Sequence, residues 1–398
     1  MSQFVVSERI NALRARTREF IDQNVLPLEP MLLEEETPLS ARTLRQLQAQ
    51  AKEAGLWALG LPADIGGGGL QFMEYVYINE VIGRSEAAMF ALGTHQTQDA
   101  LMLHQFGSES QKAKWLRPLV DGEIWPSVAM TEPDAAGSDP TLIATQATPD
   151  GGEWVLNGHK WFVTGADQAA FTTVFCVTDP DAPPHQRASM IIVPTDADGF
   201  QIVRPIKTMG HIGGHHCEIL LKNVRVPRDN LLGSQGQGFR IAQARLGPGR
   251  IFHAMRWLGQ ASRAFDLMCA RALTRYAHGS LLADKQMIQA FIADSATEIQ
   301  AARLLTLNAA AKLDRGEDAR MEIAQVKFFG ARVLHQVIDR AIQVHGALGL
   351  SEDTPLERMY RDARYARIYD GPDEVHKVTV ARQILKRYQS GSGWDPGA

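Results

Sequence analysis

The chain has 398 residues, of which 45% are hydrophobic and 22% charged, with a formal net charge of −4. This length predicts two or three folding units, and the charge balance argues against nucleic acid or an anionic membrane as partner. No apolar run reaches the roughly 20 residues of a membrane span, and no export signal opens the chain. Three widely spaced cysteines favour a reducing compartment, so we expect a cytoplasmic protein.

The first 125 residues carry a helical pattern. Apolar side chains such as Leu13 and Phe20 recur at helical spacing, and the pattern returns over residues 72–104. The four glycines at 66–69 predict an exposed turn, because no Lys-Ser or Lys-Thr pair follows them as in a phosphate-binding loop. We therefore predict an N-terminal helical domain at residues 1–125.

Residues 126–235 have a sequence pattern typical of β-strands. Short β-branched and aromatic runs at 171–175, 190–193 and 219–221 are separated by Pro, Gly, Asp and Asn. No helices alternate with these runs, which disfavours a parallel Rossmann-type sheet. Asn157-Gly158 is typical of a hairpin turn, so two short strands are expected to join there. The prediction is a central antiparallel β domain.

Helical periodicity resumes after Gly238. The tracts 239–276, 284–314, 320–346 and 372–388 are each long enough for a bundle helix. Pro248 removes a hydrogen bond within the first tract, and a helix is expected to start anew after it. We predict a C-terminal four-helix bundle at residues 236–398, and hence an α+β, mainly α, fold.

Two segments of the β region suit a flat cofactor with a pyrophosphate tail. Residues 130–138 combine hydroxyls and small side chains around a glycine, so that the backbone can approach a large anion closely. Residues 156–164 end in an aromatic side chain and a hydroxyl. The two segments resemble the Thr-Glu-Pro-x-x-Gly-Ser-Asp and Asn-Gly-x-Lys-x-(aromatic)-(Ile/Val)-Thr motifs of the acyl-CoA dehydrogenase family. The resemblance runs in order from Pro62 to Leu385 and implies the three-domain fold of that family.

The resemblance also implies FAD as cofactor. In the family the matching residues contact the flavin ring and its pyrophosphate, and the serine also meets the acyl-CoA. Phe162 stands where a tryptophan is usual. By this likeness the first set of flavin contacts is Met130, Thr131, Gly137, Ser138, Phe162, Val163 and Thr164.

A second set of cofactor residues is implied across a subunit interface. Arg275 near a glycine turn can pair with a phosphate, although a solvated arginine is the simpler interpretation. Residues 275–279 resemble the family's Arg-x-x-Phe-Gly, which reaches the FAD of a neighbouring subunit, and residues 343–347 resemble a segment that contacts the same half of the cofactor. The resemblance thus implies a homodimer or homotetramer, with Arg275, Gln286, Gln343 and Gly346 as cofactor contacts.

Residues 369–376, Tyr-Asp-Gly-Pro-Asp-Glu-Val-His, resemble the active-site run of the family. There a glutamate removes the α-proton of the substrate, and Asp370 occupies its place. A carboxylate in a water-poor cleft gains the basicity that this step needs. Two alternatives stay open: Asp370 as an ordinary turn residue, and Glu374 as the base. The same likeness assigns Gly371 to the substrate and Pro372 and Glu374 to the cofactor.

Residues 247–250, Gly-Pro-Gly-Arg, complete the implied substrate site. In the family an arginine at the place of Arg250 helps to hold the acyl-CoA, and Gly249 stands where other branches carry a catalytic glutamate. Together with residues 369–376, this run resembles the branch formed by the large animal acyl-CoA dehydrogenases fused to a phosphotransferase-like domain and their bacterial relatives. Its presumed base is an aspartate. The implied substrate contacts are Ser138, Gly247, Arg250 and Gly371.

The resemblance implies FAD-dependent α,β-dehydrogenation of an acyl-CoA to the trans-2-enoyl-CoA, as in β-oxidation of fatty acids. Asp370 would take the α-proton, a hydride would pass to flavin N5, and electrons would go on to an electron-transferring flavoprotein or a similar carrier. Three other functions stay open: an acyl-CoA or nitroalkane oxidase, a nucleic-acid-binding flavoprotein, and a catalytically silent relative. No metal is expected, because His211, His215, His216 and Cys217 lack a second ligand pair.

Overall fold

The computed structural model describes residues 6–33, 37–209 and 216–395. Helices dominate these ranges, and an eight-stranded sheet lies in the middle of the chain, which confirms the predicted mainly α fold with a central β region. None of the described helices is long and apolar enough to cross a lipid bilayer.

Short helices fill the chain before the sheet. Ser7 caps the first of them by accepting a hydrogen bond from the Ile10 amide, and Thr37 and Ser40 form a capping box at the third. Residues 66–69 form a turn, as predicted. The helices are α1 (Glu8–Phe20), α2 (Glu29–Leu33), α3 (Pro38–Glu53), α4 (Phe72–Ile82), α5 (Glu86–Ala91), α6 (Thr97–Phe106), α7 (Glu109–Gln111) and α8 (Arg117–Val120).

The sheet has the strand order β6-β7-β3-β2-β4-β5-β8, with β1 beside β4. Most pairings are antiparallel as predicted, but β1 pairs with β4 in parallel. The first residue of β2, Gln146, also pairs in parallel with the last residue of β4, Val177. A parallel pair needs a long connection, and the excursion between β1 and β4 supplies it. The strands are β1 (Pro126–Ala129), β2 (Gln146–Asp150), β3 (Glu153–Thr164), β4 (Phe171–Val177), β5 (Ala188–Pro194), β6 (Phe200–Pro205), β7 (His216–Pro227) and β8 (Leu231–Leu232).

The predicted hairpin at Asn157-Gly158 is wrong. Strand β3 passes through both residues without a turn, and its register against β7 shifts there as a β-bulge. Asn157 exchanges hydrogen bonds with Asn223 at 2.8 and 3.1 Å, and a Cβ at Gly158 would overlap the side chain of Thr145. The glycine is therefore required by a close neighbour, and the tight turn lies instead at residues 151–152.

Four long helices follow the sheet at the predicted places, namely α9 (Gly238–Thr274), α10 (Gln286–Asp314), α11 (Arg320–His345) and α13 (Asp373–Gln389), and the shorter α12 (Leu356–Tyr365) lies between the last two. Contrary to prediction, no new helix starts after Pro248, because one continuous helix includes it. Gly316 and Gly346 have positive φ angles of 73° and 66° at predicted helix ends. A small hairpin of β9 (Tyr276–Ala277) and β10 (Ser280–Leu281) precedes α10.

The chain divides into two compact units. The helical unit comprises Met1–Glu29, Gln71–Met89 and Gly247–Ala398, and the sheet unit comprises Pro30–Leu70 and Phe90–Leu246. The domain boundaries at 125/126 and 235/236 stay predictions. Within the helical unit α4 and α9 approach closely, because a Cβ at Gly259 would overlap the backbone of Glu80.

Replacing Gly259 by alanine should destabilise the helical unit. The added methyl group has no space against the backbone of α4, and overpacking of this kind costs about 1–3 kcal/mol. The matched control is Gly330→Ala on α11, where the nearest atom to a new Cβ lies 3.5 Å away on the Trp257 ring. The control should be neutral or gain up to about 1 kcal/mol of helix propensity. Urea unfolding of both variants is the measurement, and equal midpoints would contradict the expectation.

A buried ion pair fixes the start of the first flavin-like segment to the sheet. The Lys160 ammonium donates to Glu132 at 2.9 Å and to the Met130 carbonyl at 2.8 Å. Glu132 also accepts hydrogen bonds from the backbone amides of Ala144 and Thr145 at 2.7 and 2.9 Å. Burial by itself would raise the pKa of Glu132, but the Lys160 charge and these hydrogen bonds hold it below its ordinary value. Residues 130–132 are thereby anchored to β3.

Removing one partner of this pair should be costly. Glu132→Gln leaves the Lys160 ammonium buried without its counter-ion, and such a change costs about 3–5 kcal/mol. The double variant Glu132→Leu with Lys160→Met removes both charges and should unfold much closer to the wild-type midpoint. Chemical denaturation compares the three proteins. A double variant as unstable as Glu132→Gln would show that the charge is not the cause.

Candidate functional site

In the sheet unit, the two flavin-like segments lie side by side. Thr131 donates from its hydroxyl to the Trp161 carbonyl at 2.8 Å, and the Trp161 amide donates back to the Thr131 carbonyl at 3.1 Å. Immediately beyond, the register of β3 against β7 shifts a second time, between Lys160 and Val163. At this bulge Phe162 has a φ of +50° and is 44% exposed. Bulges redirect side chains next to functional sites, and here the bulge presents an aromatic face to solvent.

The exposed groups around Phe162 suit a flat, hydrogen-bonding ring. Phe162 lies beside the Trp161 and His216 rings, with centroids 5.0 and 5.8 Å away. Thr164 is exposed and hydrogen-bonds His216 at 2.9 Å. Val163 is fully buried, and its side chain packs in the core of the sheet. Of the remaining predicted contacts in this unit, Met130 and Thr131 are half-buried, and Gly137 and Ser138 are exposed.

In the helical unit, Asp370 and Gly371 form the turn between α12 and α13. Both have positive φ angles, 53° and 101°. Aspartate is one of the few non-glycine residues that tolerate this region. Arg250 donates from Nε to the Asp370 carbonyl at 2.9 Å, and His376 contacts the same oxygen through Nε2 at 3.2 Å. The structure therefore brings three predicted site residues, Arg250, Asp370 and Gly371, together.

The Asp370 carboxylate lies among basic groups. Its Oδ2 is 3.2 Å from Nε2 of His253, and its side chain is 18% exposed. The Lys327 ammonium donates to the carbonyls of Ala366 and Gly371 at 2.7 and 3.3 Å. Burial lowers the pKa of Lys327 to about 8, against the attraction of Asp370. Burial likewise lowers the pKa of His376 to about 4, with Arg250 adding to the effect.

The other predicted residues of this turn lie at the start of α13. Pro372 is the residue before the first helical position, and Glu374 is exposed in the first turn. Between them, Asp373 is buried and bonds Arg367 at 2.7 Å. The rival base Glu374 therefore faces solvent, whereas Asp370 is enclosed. Gly247 lies one turn of α9 before Arg250.

The four residues implied to act across a subunit interface share one end of an antiparallel helix pair. Arg340 of α11 bonds Glu298 of α10 at 2.6 Å, and Lys312 bonds Glu322 at 2.8 Å. This register puts the start of α10 and the end of α11 at the same end. The residues Arg275, Gln286, Gln343 and Gly346 are all exposed, and so are the nearby apolar side chains Leu273, Tyr276 and Met287.

Two basic residues of the site were missed by the sequence reasoning. His253 and Lys327 carry no motif of their own. A signal did exist for His253, because it follows Arg250 by three positions, and residues three apart share a helix face. Lys327 lies 44 residues from Gly371, so sequence spacing gave no indication.

The described residues contain no group of three or more His, Cys, Asp or Glu side chains that could hold a metal ion. His211 and His215 lie outside the described residues. His216 is bonded to Thr164, and burial raises the pKa of Cys217 in the sheet core to about 11.

Three consecutive stretches match family models of acyl-CoA dehydrogenases. The N-terminal-domain model matches residues 7–123, the middle-domain model matches 127–224, and the C-terminal-domain model matches 236–385.

Named relatives and a solved structure agree with these matches. Probable acyl-CoA dehydrogenase FadE2 of Mycobacterium tuberculosis is 47% identical over 355 residues, 87% of this chain and 86% of FadE2. Acyl-CoA dehydrogenase family member 10 of Mus musculus is 42% identical over 398 residues, and the match spans 96% of this chain but 37% of that longer protein. Butyryl-CoA dehydrogenase from Megasphaera elsdenii superposes with a TM-score of 0.86 at 28% identity, covering 96% of this chain and all of that chain. The chain therefore belongs to the acyl-CoA dehydrogenase family and is an FAD-dependent oxidoreductase of that type.

Proposed function

We propose that the protein dehydrogenates an acyl-CoA thioester between its α and β carbons, with Asp370 as the base that removes the α-proton. The observation that carries this proposal is the enclosure of the Asp370 carboxylate in a turn whose backbone is held by Arg250 and His376. A base must be held within reach of one C–H bond, and a fixed turn satisfies that requirement. Bound FAD would accept the hydride from the β carbon.

In the sheet unit we assign Met130, Thr131, Gly137, Ser138, Phe162, Val163 and Thr164 to the flavin. The pairing of Thr131 with Trp161 and the exposed aromatic face of Phe162 support this assignment. In the helical unit we assign Pro372, Glu374, Arg275, Gln286, Gln343 and Gly346. All but the half-buried Pro372 are exposed on the monomer, which agrees with contacts to ligand or to a second copy.

The substrate would be a CoA thioester held by Ser138, Gly247, Arg250 and Gly371. Burial lowers the pKa of the Arg250 guanidinium and Asp370 opposes this. Arginine stays charged in proteins, so a cation lies beside the proposed base. Butyryl-CoA dehydrogenase, a solved relative, acts on such a thioester by its name. As the α-proton leaves, negative charge grows on the thioester oxygen, and nearby donors would stabilise it. We further propose a homodimer or homotetramer that passes its electrons to an electron-transferring flavoprotein in fatty-acid β-oxidation in the cytoplasm.

An oxidase on the same fold is the second candidate function. An aspartate base would serve it equally well, and acyl-CoA and nitroalkane substrates both have an acidic C–H bond. Phe162 stands at the exposed aromatic face where the family usually has tryptophan. The electron acceptor is therefore the property in which this protein would most readily differ from the rest of the family. Reoxidation of the reduced protein in air distinguishes the two: a dehydrogenase stays reduced until a carrier is added.

Asp370→Asn should abolish most of the reaction while leaving the fold intact. The amide keeps the shape of the carboxylate but has no basicity, so flavin reduction by an acyl-CoA should slow at least about 10²-fold. Anaerobic stopped-flow absorbance at saturating substrate measures this rate. Asp370→Glu should keep partial activity, because the base is retained one methylene further out.

Glu374→Gln is the parallel control for this experiment. Glu374 is exposed in the first turn of α13 and is assigned to the cofactor rather than to the α-proton, so its variant, compared in the FAD-loaded form, should reduce its flavin far faster than Asp370→Asn. The reverse pattern, a fast Asp370→Asn and a slow Glu374→Gln, would move the catalytic role to Glu374. Bleaching of neither the wild type nor any variant by a panel of acyl-CoAs would favour the catalytically silent alternative.

Arg275→Ala should weaken FAD binding and the oligomer together. The exposed guanidinium would pair with the pyrophosphate of the FAD in a second copy, and a charge-assisted hydrogen bond is worth about 1.5–3 kcal/mol, or about tenfold or more in Kd. Equilibrium dialysis and sedimentation velocity are the measurements. Arg320→Ala, an exposed arginine paired with Asp318 at the opposite end of α11, is the control. Full flavin content in Arg275→Ala after prolonged dilution would count against a role in trans.

A further inference from the structure

We propose that His253 is a positioning residue for Asp370: as an uncharged imidazole it donates a hydrogen bond from Nε2 to the carboxylate and holds it in one orientation. This inference rests on the proposed function, in which Asp370 is the base. No sequence motif indicated it, and the contact joins α9 to the turn before α13 within the helical unit.

The hydrogen-bond partners of His253 determine its tautomer. Nδ1 lies 2.6 Å from Nη2 of Arg256 and 3.3 Å from the Tyr369 hydroxyl. A guanidinium can only donate, so Nδ1 must be the acceptor and cannot carry a proton. The remaining proton of the imidazole is therefore on Nε2, which lies 3.2 Å from Oδ2 of Asp370. An imidazolium would place an N–H against the guanidinium of Arg256.

Aromatic neighbours hold the imidazole ring in this orientation. The Tyr369 ring meets it edge-on, at 4.8 Å and 71°, and the Trp257 ring lies nearly parallel at 6.3 Å. Trp257 donates from its indole N–H to the Tyr369 hydroxyl at 3.0 Å and so holds the Tyr369 ring in place, while the single lone pair of His253 Nδ1 is taken by the closer Arg256. Arg256 and Tyr369 both approach Nδ1, so the opposite edge of the ring, with Nε2, faces Asp370.

The charges around His253 explain why a neutral donor is needed. Burial lowers the pKa of His253 to about 4, Arg256 adds to this effect, and Asp370 opposes it. The imidazole is therefore uncharged at neutral pH. Each further cation next to a carboxylate would reduce its basicity, whereas a neutral donor fixes it with less loss. The charged or titratable groups packed around this site are Arg250 and Arg256 on α9, Lys327 on α11, Tyr369 and Asp370 on the turn, and His376 on α13.

Fixing the backbone of Asp370 does not by itself fix its carboxylate. The turn fixes the Cα of Asp370, but the carboxylate can still rotate about the Cβ–Cγ bond. The proposed hydrogen bond from Nε2, which lies 3.2 Å from Oδ2, would restrict that rotation. Because misplacement by about 1 Å can cost about 10²-fold in rate, the loss of this contact should reduce kcat more than it raises KM.

The test compares His253→Phe with His253→Gln in the FAD-loaded enzyme, using a saturating acyl-CoA that bleaches the wild type. His253→Phe keeps the ring but removes the donor, so kcat for flavin reduction should fall about 10–100-fold with little change in KM. Loss of a hydrogen bond to the charged carboxylate should also move the rising limb of the pH profile upward by about one pH unit. His253→Gln, whose amide can donate from a similar place, should recover most of both effects.

Two controls separate this inference from the proposed function. His335→Phe replaces another histidine of the helical unit, packed on the Tyr360 ring, and should leave the rate and the pH profile unchanged. Asp370→Asn measures the role of the base itself. A slow Asp370→Asn with a wild-type His253→Phe would overturn the positioning role alone. A fast Asp370→Asn would overturn the proposed base, whatever His253→Phe does.

A measurement on the wild-type protein decides the question even if the variants fold poorly. Nitrogen-15 NMR of histidine-labelled holoenzyme, with His253→Gln to assign the signal, should show a neutral imidazole protonated on Nε2 at about pH 6, below the ordinary histidine pKa. A charged imidazolium, or a neutral ring protonated on Nδ1, would overturn the proposal.

Discussion

The candidate active site depends on a cluster of donors that converge on one turn. Arg250 from α9, Lys327 from α11 and His376 from α13 all contact backbone carbonyls of residues 366–371. Asp370 has a positive φ of 53°, a strained angle for a residue with a Cβ, and these contacts from three different helices hold the turn in place. Because the donors contact carbonyls of the turn, they fix it without the carboxylate having to do so. The position of Asp370 is thus a consequence of how the helices pack.

In the sheet unit, a buried ion pair rather than a cluster of donors holds the irregular segment in place. The flavin-like segment is irregular, and an irregular segment needs partners for its backbone groups. The buried Glu132–Lys160 pair supplies three such contacts, to the Met130 carbonyl and to the Ala144 and Thr145 amides, and so joins residues 130–132, 144–145 and β3. Such a pair is weak evidence for stability but a strong constraint on geometry. It holds the half-buried Thr131 in a defined place against Trp161, the residue before Phe162.

Backbone strain in the described residues is concentrated near the candidate sites. Five non-glycine residues there have positive φ angles, and three of them, Phe162, His278 and Asp370, lie in or beside segments implied to bind cofactor or substrate. The other two, Ala58 and Asn223, lie elsewhere, and Asn223 is accounted for by its hydrogen bonds with Asn157. Strain that recurs in separate segments of both units agrees with selection for a site rather than for stability alone.

The sequence by itself determined the long helices, most strands and the positions of Arg250 and Asp370, because each depends on local periodicity or on a contiguous motif. It did not determine the path of β3. Asn157-Gly158 has the local preference of a turn, but Thr145 and Asn223, which make it a bulge, come from other strands. Nor did it indicate His253 and Lys327 as neighbours of the base, since both lie on other helices, far from Asp370 along the chain, and meet it only in the folded structure. Contiguous motifs and residue spacing indicate which side chains a segment offers. The charge state and orientation of a buried group depend instead on neighbours that only tertiary packing brings within a few ångströms.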